Sequence, residues 1–81
     1  MRYGTETRSA PEDVLAQART FFGDSGELGL MEAPGGPESI TFAGPDGGVT
    51  VGAHHIDGKT EVTILSREYD FWAERFIREL H

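Results

Sequence analysis

The sequence contains no cysteine, and this absence excludes a disulfide framework and a cysteine-ligated zinc site. The absence fits a reducing compartment, so we expect a cytoplasmic location. No apolar run approaches the ~20 residues that a membrane-spanning helix needs. Residues 1–13 also lack the apolar segment of a signal peptide. We therefore expect no membrane partner.

Positive charge is scarce: 7 Lys and Arg residues stand against 14 Asp and Glu residues, which gives a formal net charge of −7. Such a chain repels nucleic acid, so we expect no nucleic-acid partner. The acidic residues have two interpretations. They lie in turns and on edge strands, where they prevent edge-to-edge pairing, or they form a surface that docks a basic protein.

The length of 81 residues predicts one small domain over residues 1–81. A chain of this size buries about 60% of its unfolded surface and has a thin core. We find no internal repeat and no low-complexity tract.

The clearest local signal is a β-hairpin over Gly48–Leu65, with Asp57-Gly58 as its two-residue turn. The turn sets the register, and alternation then assigns the side chains to two faces. One face is assigned to the core because it carries apolar residues: Val49, Val51, Ala53, Val62 and Ile64. We expect His55 to close one end of that core.

A strand over Ser39–Ala43 precedes the hairpin, and Gly44–Gly47 predicts a four-residue turn between them. This turn sets Phe42 opposite Val49. Two independent turns thus predict the same buried face.

Helical periodicity predicts one helix over residues 10–22 and another over residues 67–80. Ser9–Glu12 fits a capping box for the first helix, and Ser66 is in position to cap the second. Each helix has an apolar stripe, formed by Val14, Leu15, Ala18, Phe21 and Phe22 in the first and by Tyr69, Trp72, Ala73, Phe76, Ile77 and Leu80 in the second.

The remaining segments complete the predicted topology. Residues 1–8 are expected to be irregular, and residues 27–33 to form an edge strand with Leu28 and Leu30 inside. Residues 34–37 are expected to form a loop. The predicted fold is α+β with the order α-β-β-β-β-α. It is a two-layer sandwich in which both terminal helices cover one face of a four-stranded antiparallel meander.

The residue pattern predicts no catalytic, cofactor-binding or metal-binding residues. His54 and His55 are adjacent in a strand, so they point to opposite faces and cannot share a metal. Glu61 lies opposite His54, either as an exposed cross-strand pair or as an acid–base pair. The glycine clusters lead into strands and no lysine follows them, unlike phosphate-binding loops.

Two features of the predicted fold are candidate interaction sites. The sheet face without helices is flat and partly apolar, and it is either solvated or stacked on a second copy. Phe71 lies opposite the apolar stripe of its helix and is a candidate anchor for a partner. The candidate interaction residues are therefore Thr41, Thr50, His54, Glu61, Thr63, Leu65 and Phe71.

Three functions are compatible with these features. The first is a non-catalytic accessory or binding protein that works as a homodimer through the outer sheet face. The second is an acidic inhibitor, of the immunity or antitoxin kind, that masks a basic partner. The third is a small-molecule binder or minor enzyme, with its ligand near Trp72, Tyr69 and His55 or at His54 and Glu61.

Overall fold

The computed structural model describes residues 1–33 and 35–80, which form a five-stranded sheet and two helices. The elements are β1 (Arg2–Thr7), α1 (Pro11–Phe22), β2 (Met31–Ala33), β3 (Ser39–Ala43), β4 (Gly48–Ile56), β5 (Lys59–Arg67) and α2 (Asp70–Glu79). All neighbouring strands are antiparallel, in the spatial order β1-β5-β4-β3-β2. The α+β class is confirmed, but the sheet has five strands where the sequence predicted four.

The hairpin between β4 and β5 has the predicted turn and the predicted register. Asp57 and Gly58 have φ values of 50° and 78°, as a turn that matches the twist of the strands requires. Val51 faces Ile64, and the other residue pairs of the hairpin have the predicted register. The predicted core face is confirmed, since its five apolar residues are all buried.

The turn between β3 and β4 is closed by a hydrogen bond from the Gly44 backbone N–H to the Gly47 carbonyl oxygen, 2.9 Å away. Phe42 then faces Val49, as the turn predicted. Gly47 is buried here, and a Cβ at this position would collide with the carbonyl oxygen of Arg67. The turn thus packs against the end of β5 and places β3 and β5 on either side of β4.

Both helices pack on the core face, and aromatic rings join them to the sheet and to each other. Phe22 from α1 is fully buried, with its ring centroid 5.6 Å from that of Phe42 on β3 and 5.3 Å from that of Phe76 on α2. Phe21 lies 5.4 Å from Phe76 between the helices. Contacts of this kind add to the free energy gained by burying the rings.

The predicted topology was wrong at the N-terminal segment, because residues 1–8 include a strand. Residues Arg2–Thr7 form β1, which pairs with the free side of β5 and becomes an edge strand. Thr60 anchors the following chain, since its hydroxyl donates a 2.6 Å hydrogen bond to the Ser9 carbonyl. The order is therefore β-α-β-β-β-β-α.

Helix α1 begins at Pro11, close to the prediction, but its N-cap is Ala10, and no side chain in the described part of the chain caps it. The predicted capping box therefore does not form.

Strand β2 covers only Met31–Ala33, because Gly29 has a positive φ of 56° that interrupts the extended chain. Leu30 is buried as expected. The predicted loop at residues 34–37 includes Pro34, which lies outside the described residues.

Helix α2 begins at Asp70, three residues later than predicted, because β5 continues through Arg67. Glu68 then takes a φ of 73° and turns the chain from the sheet into the helix. Ser66 is a buried strand residue whose Oγ has no hydrogen-bond partner among residues 1–33 and 35–80, so it does not cap the helix. The N-cap position is Tyr69.

Replacement of Phe22 by alanine tests the aromatic core. We expect Phe22→Ala to lower the free energy of unfolding by about 3–5 kcal/mol, because it leaves a cavity where two helices meet the sheet. Phe71→Ala is the matched control, since Phe71 is 61% exposed, and we expect a change within about 0.5 kcal/mol. Urea unfolding followed by circular dichroism measures both, and equal effects would contradict this assignment of the core.

The pKa of the Tyr3 phenol tests how β1 packs on α2. Loss of hydration raises this pKa above its ordinary value of 10.0, and the carboxylates of Asp70 and Glu74 raise it further. The unfolded chain releases this proton first, so stability falls as the pH rises past 10.0. We expect Tyr3→Phe to lessen that loss and to remove from an ultraviolet titration a tyrosine that ionises above pH 10.0. An unchanged titration would contradict the packing.

Candidate functional site

The outer face is the side of the sheet opposite the two helices, and it contains the sequence-predicted candidate residues of the strands. Thr41, Thr50 and Leu65 lie side by side on β3, β4 and β5, and the Thr41 and Thr50 hydroxyls are 3.0 Å apart. Leu65 is 50% exposed. Thr63 lies two residues along β5, toward the hairpin turn. The structure thus brings these predicted residues together on one exposed surface.

Charge is distributed unevenly along the strands of the outer face. At one end, Arg2 on β1 lies beside Leu65 on β5, and Arg67 follows. Toward the other end, Glu6 on β1 lies directly opposite Glu61 on β5. Lys59 lies near this acidic end, with its Nζ 3.8 Å from a Glu6 oxygen.

Between the two ends lies a row without formal charge, one residue from each of four strands. We call it the central row, and it consists of Ser39, Gly52, Thr63 and Gly4. Two of the four positions have no side chain, so the surface is flat there. Prediction from sequence missed Gly4 and Arg2, because their segment was not assigned to the sheet.

His54 has a different carboxylate partner from the one predicted. The strand register places it opposite Glu61, yet its Nδ1 lies 2.9 Å from an oxygen of Glu38, which precedes β3. Both side chains of the pair are 57% exposed. An exposed pair of this kind contributes at most about 1 kcal/mol. The Nδ1 contact is made with Glu38, and Glu61 remains the cross-strand neighbour of His54, as the register predicted.

His55 does not close the core, since it is exposed at the end of β4 beyond the helices. Buried Thr60 occupies the corresponding position on β5. Within residues 1–33 and 35–80, no group of three His, Asp or Glu side chains is arranged to hold a metal ion. Neither α1 nor α2 is long and apolar enough to cross a membrane.

An open groove of about 540 Å³ lies between α1 and α2, with Phe21, Trp72 and Phe76 among its lining residues. The Arg75 guanidinium lies 5.6 Å from the centre of the Trp72 ring. Arg75 is paired with Glu79 at 3.1 Å and with Glu27 at 3.7 Å. Its charge is therefore already compensated. Of the three residues near which the small-molecule hypothesis placed a ligand, Trp72 lines this groove, and Tyr69 and His55 are not among its lining residues.

Phe71 is exposed, as its position opposite the apolar stripe of α2 predicted. It is 61% accessible, and its ring stands edge-on to Trp72 with centroids 5.4 Å apart. Glu74 follows one turn later and is exposed too. This side of α2 presents an aromatic ring with the Glu74 carboxylate one turn away and exposed Arg78 two turns away.

Comparisons with protein-family models, curated proteins and solved structures found no match. Interpretation of the sites therefore depends on their geometry alone.

Proposed function

We propose that this protein is a non-catalytic binding domain that works as a homodimer, with the outer faces of two copies stacked on each other. The charge gradient along the outer face is the observation that carries the proposal. Arg2 lies on one side of the uncharged central row, and Glu6 and Glu61 lie on the other. A surface of this kind is complementary to a reversed copy of itself.

A two-fold axis along the central row would supply that reversal. It would turn the strands of the second copy antiparallel to those of the first, so that Arg2 of one copy lies over Glu6 and Glu61 of the other. Arg2 and Glu6 lie two residues on either side of Gly4, about 6.8 Å along the strand, so these opposite charges face each other after rotation. The match is confined to this end of the row, because Arg67 on β5 then lies over Lys59 of the other copy. A contact with this symmetry is isologous and closes at two copies.

The outer face is large enough for a small interface between two copies. Strands of 6, 3, 5, 9 and 9 residues, at about 3.4 Å per residue and about 4.8 Å apart, give roughly 500 Å² per copy. Stable interfaces bury about 800 Å² per partner, so the contact would need the whole face and would lie at the small end of the range. Gly4 and Gly52 in the central row allow close approach, and Leu65 supplies apolar area.

Thr63→Lys tests the stacked dimer, because it places two like charges close together at the two-fold axis. Like charges facing each other across an interface cost several kcal/mol, so we expect the association constant to fall by about tenfold or more. Sedimentation equilibrium from low to high micromolar concentration measures the average mass.

Thr20→Lys is the matched control, since Thr20 is exposed on α1, away from the sheet. We expect it to leave the average mass unchanged. A wild-type chain that remains monomeric at high micromolar concentration would contradict the proposal. Equal masses for the two lysine variants would contradict the use of the outer face.

A second candidate function is an acidic binding partner for a basic protein, and exposed Phe71 is the observation that favours it. The ring is supported by Trp72 and lies one turn from Glu74, in a chain of net charge −7. A partner that buries the ring would gain about 1.5–3 kcal/mol from it. Negative charge would speed the encounter.

Affinity capture with identification by mass spectrometry tests this second candidate. We expect one basic protein to bind the wild type, and to be lost with Phe71→Ala and at high salt. Leu65→Ala is the control, because it removes an exposed apolar side chain from the outer face instead. Capture of the same proteins by Phe71→Ala and wild type would exclude this role for Phe71.

A further inference from the structure

The free edge of β1 presents backbone hydrogen-bonding groups that nothing in residues 1–33 and 35–80 pairs with. Strand β1 is the last in the sheet, with β5 on one side only. Met1 and Ser66 exchange two backbone hydrogen bonds, of 2.6 Å and 2.8 Å. Antiparallel pairs alternate between bonded and non-bonded residues, so Tyr3 and Thr5 also bond to β5. The N–H and C=O groups of Arg2, Gly4 and Glu6 therefore point away from the sheet.

We infer that this edge binds β1 of a second copy in antiparallel register, with Gly4 of one copy opposite Gly4 of the other. Arg2 then faces Glu6 of the second copy, and Glu6 faces Arg2. All three outward residues exchange backbone hydrogen bonds across the two-fold axis, about six in total. The two five-stranded sheets become one continuous sheet.

The charges of β1 favour a copy of this strand over an unrelated peptide. In the proposed register both Arg2 and Glu6 meet an opposite charge, and a shift by two residues in either direction loses both ion pairs. Glu6 also lies opposite Glu61, a like-charge pair that is unfavourable in a sheet. Arg2 of the second copy would reduce that repulsion. Within the same copy, the Lys59 Nζ lies 3.8 Å from a Glu6 oxygen.

This edge contact is independent of the stacked dimer. It uses the backbone groups of β1, and its two-fold axis is perpendicular to the sheet, whereas the stacking axis lies in the sheet plane. Both contacts can form together, and their product is a tetramer with three mutually perpendicular two-fold axes. Either contact alone gives a dimer.

Amide hydrogen exchange measured by NMR tests the edge contact directly in the full chain. The Gly4 and Glu6 amides should exchange at least about tenfold more slowly at high than at low protein concentration, since they are paired only in the assembly. The Tyr3 and Thr5 amides are internal controls, because they bond to β5 in every copy. Their protection should change much less with concentration.

Gly4→Pro and Gly4→Ala form a matched pair of variants. Proline removes an N–H that points away from the sheet, so it breaks no hydrogen bond within the chain. It deletes the two central bonds between copies, and we expect edge association to weaken by about tenfold or more. Alanine keeps the N–H and adds a Cβ to the outer face as proline does, so an effect on stacking is common to both variants and the N–H alone separates them. This Cβ would lie 3.8 Å from the Val62 carbonyl oxygen, an ordinary contact. Circular dichroism confirms that both variants fold.

A charge exchange tests the register. Arg2→Glu and Glu6→Arg should each weaken the edge contact, because each places like charges opposite one another. The double variant Arg2→Glu/Glu6→Arg should restore it, since opposite charges face each other again. In all three variants, the exchange rate of the Gly4 amide measures the edge contact. Stacking does not pair this N–H, so the two contacts stay distinct. Failure of the double variant to restore protection would overturn the register.

Three results would overturn the edge contact itself. Association without slower exchange at Gly4 would show assembly through the outer face alone. Protection at Gly4 that is independent of concentration would show that another part of the same chain covers the edge. A monomer at high micromolar concentration would overturn both the edge contact and the stacked dimer.

Discussion

The left-handed backbone at Asp57 and Gly58 is the constraint on which the other elements depend. Two successive residues with positive φ join β4 to β5 with the twist that the strands require, and they leave one register available. A slip of one residue would move Val51 and Ile64 to the solvent side. The side on which the helices pack is therefore set by this turn. The same turn sets which residues lie on the face that the helices leave uncovered.

Much of the fold could be predicted from the sequence because short turns and residue periodicity are local properties. The β3–β4–β5 meander, helix α1 and the partition of Phe42 and Ile64 into the core all followed from them. The capping of the helices was not predictable in the same way. Ser66 resembles a cap in sequence, but pairing with β4 extends strand β5 past it. Tertiary pairing outweighed the local preference.

Strand β1 was missed for a related physical reason. Its sequence alternates Tyr3, Thr5 and Thr7 with charged residues and a glycine, so it has too little apolar surface to signal a strand alone. It becomes a strand because the side of β5 away from β4 offers a row of backbone partners. The charge gradient of the outer face depends on this strand. The charge gradient therefore could not be predicted from a sheet without β1.

The pairing of β1 with β5 has a consequence for how the chain reaches this structure. Met1 and Ser66 are hydrogen-bonded although they are 65 positions apart. During synthesis β1 is made before β5, so the two strands cannot pair until the chain through Arg67 has been made. Contacts that close such long loops slow folding. After β5 has been made and before β1 pairs with it, β5 has an open edge of its own, through which the chain can associate with the wrong neighbour.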